Sequence, residues 1–383
     1  MAGIYFHIPF CKSSCVYCDF YHTIDLRRMQ ELGECLQKEM EERRGYLGKE
    51  AVESIYFGGG TPSLMAPDFY KKCIDNIKNW FQVDSCPEIT LEANPDDISR
   101  DFVQALRRAG INRISLGVQS FQDFVLKFMD RRHTAGKAME AIDILRQEGI
   151  PSISIDLIYG SPGYTADHLF QDLHILERFD IPHFSAYLLT PEKGTVLYQN
   201  IVEEEVSLPG EEEQFEQYMM LCEFSASLGY RHYEISNFCR EGFMARHNKG
   251  YWEGKIYCGI GPSAHSYNGI SRRWNISSLY HYILAIKEGK RYYEEEQLSD
   301  KDLYNEYLLT ALRTDDGVTE EEIREKFGEE LARYFIKGIS KYAGKGHIEV
   351  KRGRYRLTNT GMFISDTIIS SLFIPNSSIE KLN

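Results

Sequence analysis

No stretch of about 18 uninterrupted apolar residues occurs in the 383-residue chain, and no basic leader followed by an apolar run opens it. The expectation is therefore a cytoplasmic chain with no stable membrane insertion. Low-complexity tracts and internal repeats are also missing, while 43% of the residues are hydrophobic, enough to bury a substantial core. That excludes a disordered chain. Basic residues are in short supply: 44 Lys and Arg stand against 57 Asp and Glu, a formal net charge of -13. A field of that sign repels phosphate backbones, so no nucleic-acid partner is expected. The acidic runs Glu203 to Glu205, Glu211 to Glu213 and Glu294 to Glu296 read as solvated faces and linkers.

A disulfide framework is absent too. The nine cysteines are an odd number, and Cys35, Cys73, Cys86, Cys222, Cys239 and Cys258 stand alone, as small buried or surface thiols do. The other three are crowded into eight residues of IPFCKSSCVYCDFY, at Cys11, Cys15 and Cys18. In a reducing compartment clustered thiols point to metal binding or redox chemistry.

Short β-rich runs alternate with helical stretches from Ile4 to about Thr190, the pattern of a parallel sheet covered by helices. The predicted strands are IYFHIPF, ESIYFGG, EITLEAN, RISLGVQ, SISIDLIYG and HFSAYLL. Between them lie amphipathic segments, such as the one carrying Ala138, Ala141, Ile142 and Leu145 at spacings of three and four. Six βα units are too few to close an eight-stranded barrel. The expected fold is α/β, a partial (β/α)6 barrel whose mouth gathers loops from the carboxyl ends of the strands, with a smaller, mostly helical C-terminal domain. Three segments are expected: the barrel over 1–208, an extension over 209–276 containing a loop through GYWEGKIYCGIGPSAH, and a cap over 277–383 closed by the hairpin HIEVKRGRYRLT. A winged-helix module would bind nucleic acid; a structural cap is the favoured alternative.

The C-x3-C-x2-C spacing follows the first strand, where three thiolates can hold three irons of a cubane and leave the fourth open. Zinc is the alternative, with His7, Asp19 or His22 completing a tetrahedron. Gly58, Gly59 and Gly60 end the second strand, where bare backbone lets a ligand approach, and Thr61 adds a hydroxyl; a tight turn before Pro62 would look the same. No Lys-Ser/Thr pair follows, which excludes a phosphate loop.

With Tyr17 before its last cysteine, the cluster resembles the signature of the radical S-adenosylmethionine (SAM) superfamily. YFHIPFCKSSCVYCDF, YFGGGTPS, LEANP, LGVQSF and DLIYGSPG, in that order, are similar to the coproporphyrinogen III oxidase-like branch across nearly the whole chain. The resemblance implies a [4Fe-4S] cluster on Cys11, Cys15 and Cys18, with SAM chelated at the unique iron for reductive cleavage. It also implies that Tyr17 packs near the adenine, that Glu92 and Arg131 face the methionine part, that Gln119 and Asp156 reach the ribose, and that Tyr5, Gly59, Gly60 and Thr61 contact the cofactor. Taken singly, the charged and amide groups also read as helix caps or surface ion pairs, and Tyr5 as a strand aromatic.

That branch holds an oxygen-independent oxidase, which decarboxylates propionates, and heme chaperones of the HemW group. The oxidase pattern has a further cysteine two residues after the third, where this chain has Phe20, and a longer stretch before the cluster than the ten residues here. His247, Asn248, Tyr251 and Trp252 in HNKGYW match the H-N-x-x-Y-W motif of the chaperones. His247 offers an imidazole to heme iron and the two aromatics offer flat faces to a porphyrin; a packed loop is the alternative. His265 and then Cys258 rank below His247 as ligands. The resemblance thus implies heme binding and transfer to an acceptor protein, with an electron donor for the cluster and with SAM either structural or consumed. The second reading is a radical-SAM oxidoreductase acting on coproporphyrinogen III or another substrate. Both a monomer and a dimer are compatible with the sequence.

Overall fold

In the computed structural model, which describes residues 1–375, six parallel strands form the centre of one twelve-stranded sheet. They are β1 (Ala2–Ile8), β2 (Val52–Gly59), β3 (Val83–Ala93), β4 (Arg113–Gln119), β5 (Ser152–Tyr159) and β6 (His183–Leu188). Each pairs in parallel with the next, and these are the six runs expected from the sequence. In β1 the residues Ala2, Ile4, Phe6 and Ile8 are buried beneath helices, while Tyr5 and His7 alternate onto the opposite, barrel-facing side. The helix Ala135–Gln147 buries Ala138, Ala141, Ile142 and Leu145, and the Thr134 hydroxyl caps it by accepting from the Lys137 N–H. Residues of β2 through β6 line one common cavity, so the sheet curls into a partial (β/α)6 barrel.

Beyond the parallel core the sheet changes direction. The hairpin β7 (Arg231–Glu234) and β8 (Asn237–Cys239) adds antiparallel to β6. At the other edge β9 (Ile256–Ile260) lies parallel to β1, followed by antiparallel β10 (His265–Tyr267), β11 (Ser271–Asn275) and β12 (Tyr293–Gln297). The sheet therefore runs on past residue 276 to Gln297. The acidic run in β12 reads as a solvated segment in isolation, but Glu295 and Glu296 stand opposite Arg273 and Arg272 of β11, where opposite charges favour pairing.

The stretch from Gly250, expected to be a loop, instead contains the end of the helix Arg246–Trp252 and all of β9. What starts that helix is remote in sequence: the Glu88 carboxylate, at the buried part of β3, accepts from the backbone N–H groups of Arg246 and His247, both at 3.1 Å. It supplies the acceptors and the negative charge that a helix N-terminus favours.

The C-terminal part contains the helices Asp300–Ala311, Glu320–Phe327 and Glu329–Ala343 with a small sheet of β13 (Val318–Thr319), β14 (Ile348–Lys351) and β15 (Arg354–Leu357). It meets the barrel through Arg231, whose guanidinium donates to both carboxylate oxygens of Asp315, and through Arg272, which donates to Glu306 at 2.8 Å. Among the described residues no helix is long and apolar enough to cross a membrane.

Candidate functional site

The loop after β1 is held by backbone hydrogen bonds on both sides. Gly60 N–H donates to Ile8 O at 2.8 Å, Thr61 N–H to Phe10 O at 2.7 Å, and Leu197 N–H to Val16 O at 2.8 Å. These contacts hold Cys11, Cys15 and Cys18, all partly buried, along the mouth of a cavity of about 520 Å³ at the carboxyl ends of the strands. The Thr61 hydroxyl donates to Cys11 Sγ at 3.4 Å, and Arg131 Nη1 to Cys15 Sγ at 3.6 Å. Burial raises the Cys11 thiol and pushes Cys18 up to about 11.

Among the described residues no three His, Cys, Asp or Glu side chains converge where one metal ion could sit. A cubane asks for something different, one thiolate at each of three separate iron corners, and three thiols spread along one rim fit that demand. The nitrogens of His7 are taken by the Tyr5 hydroxyl at 3.0 Å and Tyr21 O at 2.9 Å, and those of His22 by Ser14 Oγ at 2.8 Å and Phe20 O at 2.7 Å. The two histidines considered as zinc ligands are thus engaged elsewhere.

Of the residues expected to contact a cofactor, Tyr17, Gly59, Gly60, Thr61, Glu92, Gln119, Arg131, Asp156 and Asn248 line this cavity. Arg131 donates to Gly117 O as well as to Cys15, yet its Nε is buried with no partner, a donor suited to a ligand carboxylate. Gln119 ends β4 with φ 70°, a left-handed kink that coincides with a register shift against β5 and brings its side chain into the cavity. Asp156 accepts from Ser115 Oγ, at 3.2 and 3.1 Å, and burial raises its pKa. Tyr5, also expected to contact the cofactor, is outside the lining of this cavity; alternation in β1 turns it to the barrel-facing side, where it bonds His7 and packs on Tyr56.

Glu92 is a buried carboxyl group at the site. Burial lifts its pKa to about 7, opposed by the Tyr56 hydroxyl donating at 2.8 Å, reinforced by the Asp156 charge, and opposed again by the Gly59 N–H at 3.1 Å. An unfolded glutamate titrates near 4.5, so between about 4.5 and 7 the folded state binds the extra proton. The stability this contributes is whole below about 4.5 and is lost as pH rises through about 7. Glu92→Gln is therefore expected to flatten the pH dependence of denaturant unfolding of the cluster-free chain in that window, by about 3 kcal/mol. An unchanged slope would assign the dependence to Glu234, which burial also raises to about 7.

The HNKGYW helix closes the opposite end of the barrel, against the beginnings of β1 and β2. His247 is buried: Nδ1 bonds Ser54 Oγ at 2.9 Å, Nε2 bonds the Tyr251 hydroxyl at 2.9 Å, and the ring stacks on Tyr56 with centroids 5.0 Å apart. Burial pushes its pKa down to about 3. Both nitrogens of the residue expected to bind heme iron are thus occupied, and His247 works here as a bolt through the barrel floor. His247→Ala is expected to cost about 3–5 kcal/mol, because it leaves a void against Gly3 and strips Tyr251 of a buried partner; denaturant unfolding measures it.

The lower-ranked candidates lie outside the cluster-side cavity. His265 has an exposed ring stacked on Trp274, and Cys258, a residue of β9, is fully buried. A second histidine missed in the sequence repeats the floor arrangement: His183 Nδ1 bonds Ser154 Oγ at 2.6 Å and Nε2 bonds the Tyr233 hydroxyl at 2.9 Å. No local motif marks it, since its partners come from β5 and β7.

The same helix divides two spaces. Asn248 faces the cluster-side cavity, whereas Tyr251 and Trp252 line a separate cavity of about 890 Å³ between the barrel floor and the C-terminal part. The radical SAM superfamily profile matches residues 5–176, and the HemN C-terminal domain profile matches residues 298–364. A curated protein of Bacillus subtilis, "Heme chaperone HemW", is 32% identical over 374 residues, covering 97% of this chain and 99% of its own. The chain belongs to the HemW family of radical SAM proteins. Another HemW, of Lactococcus lactis, is 32% identical with 97% of each chain covered, and the mitochondrial radical S-adenosyl methionine domain-containing protein 1 of Bos taurus is 31% identical over 97% of this chain and 87% of its own. Among solved structures, the coproporphyrinogen III oxidase HemN of Escherichia coli superposes with a TM-score of 0.83 at 21% identity, covering 97% of this chain and 90% of that one. The HemN likeness carries the shared fold, and a [4Fe-4S] cluster and SAM are what the superfamily implies.

Proposed function

We propose that this protein carries heme to an acceptor protein, with a [4Fe-4S] cluster on Cys11, Cys15 and Cys18 and SAM in the cluster-side cavity. The observation that carries the reading is the division made by the HNKGYW helix, which presents an amide to the cofactor side and two aromatics to a larger, separate space. When both are bound, the cluster supplies one-electron chemistry to SAM. The chain's own contribution is positional: Arg131 offers its unpaired Nε to a carboxylate, Asp156 accepts from hydroxyls, and Gly59 and Gly60, packed without side chains against His7 and the Pro9–Phe10 backbone, line the cavity beside the thiols. The partners this implies are a heme acceptor and a protein that reduces the cluster, both in the cytosol.

Phe20 supports carriage over decarboxylation, since it stands 71% exposed where the oxidase-like pattern has another cysteine. The test is hemin titration of anaerobically purified protein followed by its Soret band, beside an assay of coproporphyrinogen-dependent SAM cleavage. Saturable hemin binding without decarboxylation is expected. Turnover of coproporphyrinogen without heme retention would make the protein a radical-SAM oxidoreductase.

A further inference from the structure

The net charge of -13 that argues against a nucleic-acid partner is unevenly spread. Over residues 331–357 eight Lys and Arg stand against a single carboxylate, Glu349. The fold gives that basic segment a shape. The helix Asp300–Ala311, β13, the helices Glu320–Phe327 and Glu329–Ala343, then β14 and β15, follow the element order of a winged helix, with β15 between β13 and β14 in the sheet. The last two helices meet at Gly328, whose φ of 90° turns the chain, as a glycine does in a helix-turn-helix.

The second of these helices buries Ala332, Phe335 and Ile339, with the Phe335 ring edge-on to Tyr355 of β15 at 5.5 Å. Packing that face inward fixes what is left outside. Arg333, Lys337 and Lys341 recur every four residues along the exposed face, a row with steps of about 6 Å, and Lys345 extends it just past the helix end. The wing adds a second cationic point. Its turn is Arg352 and Gly353, with φ 53° and 77°, the pair of left-handed residues that closes a tight hairpin. A β-carbon at the first of these positions costs about 1–2 kcal/mol, yet an exposed arginine stands there beside the exposed Lys351.

These cations are free to meet a partner. Arg333 shares Glu329 at 3.2 Å, but no ion pair with a described residue engages Lys337, Lys341, Lys345, Lys351 or Arg352. Membranes, single strands and duplexes present phosphates differently, and the neighbouring side chains discriminate among them. A membrane surface asks for apolar residues that insert between the charges. Tyr334 and Val350 are the only large apolar side chains exposed over this segment, and the Tyr334 hydroxyl is tied to Phe373 O at 3.0 Å. A single strand asks for a row of aromatic platforms, which this face lacks. A duplex asks for cations at separate points along its regular phosphates, and a helix row with a wing tip supplies them. The first turn of the helix, the end that reads base edges in helix-turn-helix proteins, carries Glu329 and Glu330, which disfavours entry into a groove.

We propose that the C-terminal winged helix binds the phosphate backbone of double-stranded nucleic acid without reading its bases, through Lys337, Lys341 and Lys345 on the helix side and Lys351 and Arg352 at the wing. This surface lies outside both cavities, and its use requires neither heme nor SAM.

The test is fluorescence anisotropy of labelled duplexes of about 20 base pairs, as DNA and as RNA, titrated with the full anaerobically reconstituted chain across a salt series. The wild type is expected to bind at low salt, with log affinity falling against log salt at a slope of about -4 and no preference among sequences; the tighter of the two duplexes identifies the natural one. Arg352→Gly, which suits the left-handed backbone, is expected to make that slope shallower by about one, and Lys337→Gln with Lys341→Gln by about two, with no loss of thermal stability. Lys290→Gln, an exposed control outside the winged helix, is expected to change nothing. Absence of duplex binding at low salt, or slopes that neither set of variants alters, would overturn the proposal. Binding to phosphatidylglycerol vesicles in place of either duplex would overturn it in favour of a lipid-facing surface.

Discussion

Cys15→Ala is expected to leave the protein without its four-iron complement and its brown colour while the chain still folds. The loop around Cys15 is held independently of any metal, by Thr61 N–H on Phe10 O and Leu197 N–H on Val16 O, so losing one thiol does not unfasten it. A cubane held by three thiolates has no spare thiolate, and the two nearby histidines, His7 and His22, already use both ring nitrogens. The variant also removes the sulfur that Arg131 Nη1 meets at 3.6 Å. Iron and sulfide analysis after anaerobic reconstitution reads the outcome, and a full complement of four irons would take Cys15 out of the ligand set.

The second large effect is Gly60→Val, and here the tertiary structure changes the expectation. From the sequence, a bare Gly60 suggests room for SAM, and a larger side chain should weaken SAM alone. In the structure a Cβ on Gly60 would lie 2.8 Å from Phe10 O and from Pro9 C, inside the backbone that leads into Cys11. Backbone at that distance must move, and the hydrogen bonds of Gly60 and Thr61 to Ile8 and Phe10 move with it. Gly60→Val is therefore expected to lower cluster loading severalfold as well as SAM affinity. Normal iron content with weakened SAM binding would return Gly60 to a purely ligand-facing role.

The six parallel strands were legible because each is a short β-rich run bounded by turns, and the helices between them repeat at three and four residues. The cluster cysteines were legible because a loop of eight residues carries its own spacing. Asn248, Tyr251 and Trp252 could be singled out as a motif, but the sequence treats them as one site. A seven-residue helix turns its side chains to different sides, and the structure sends Asn248 to one cavity and the two aromatics to another. Tyr56 gave no signal of its own; it matters because Glu92 is its neighbour on the adjacent strand and His247 lies on its ring.

By itself the sequence determined the α/β alternation, the thiol cluster and the family, all properties carried by residues close together in the chain. Tertiary structure alone decided the start of the floor helix, the hydrogen bonds that occupy His247, the backbone contact of Gly60, and the second cavity with walls from Tyr257 to Arg354. The physical reason is the same in each: a cap, a buried hydrogen bond, a steric limit and a cavity wall are made by groups far apart in sequence, and only folding brings them within reach.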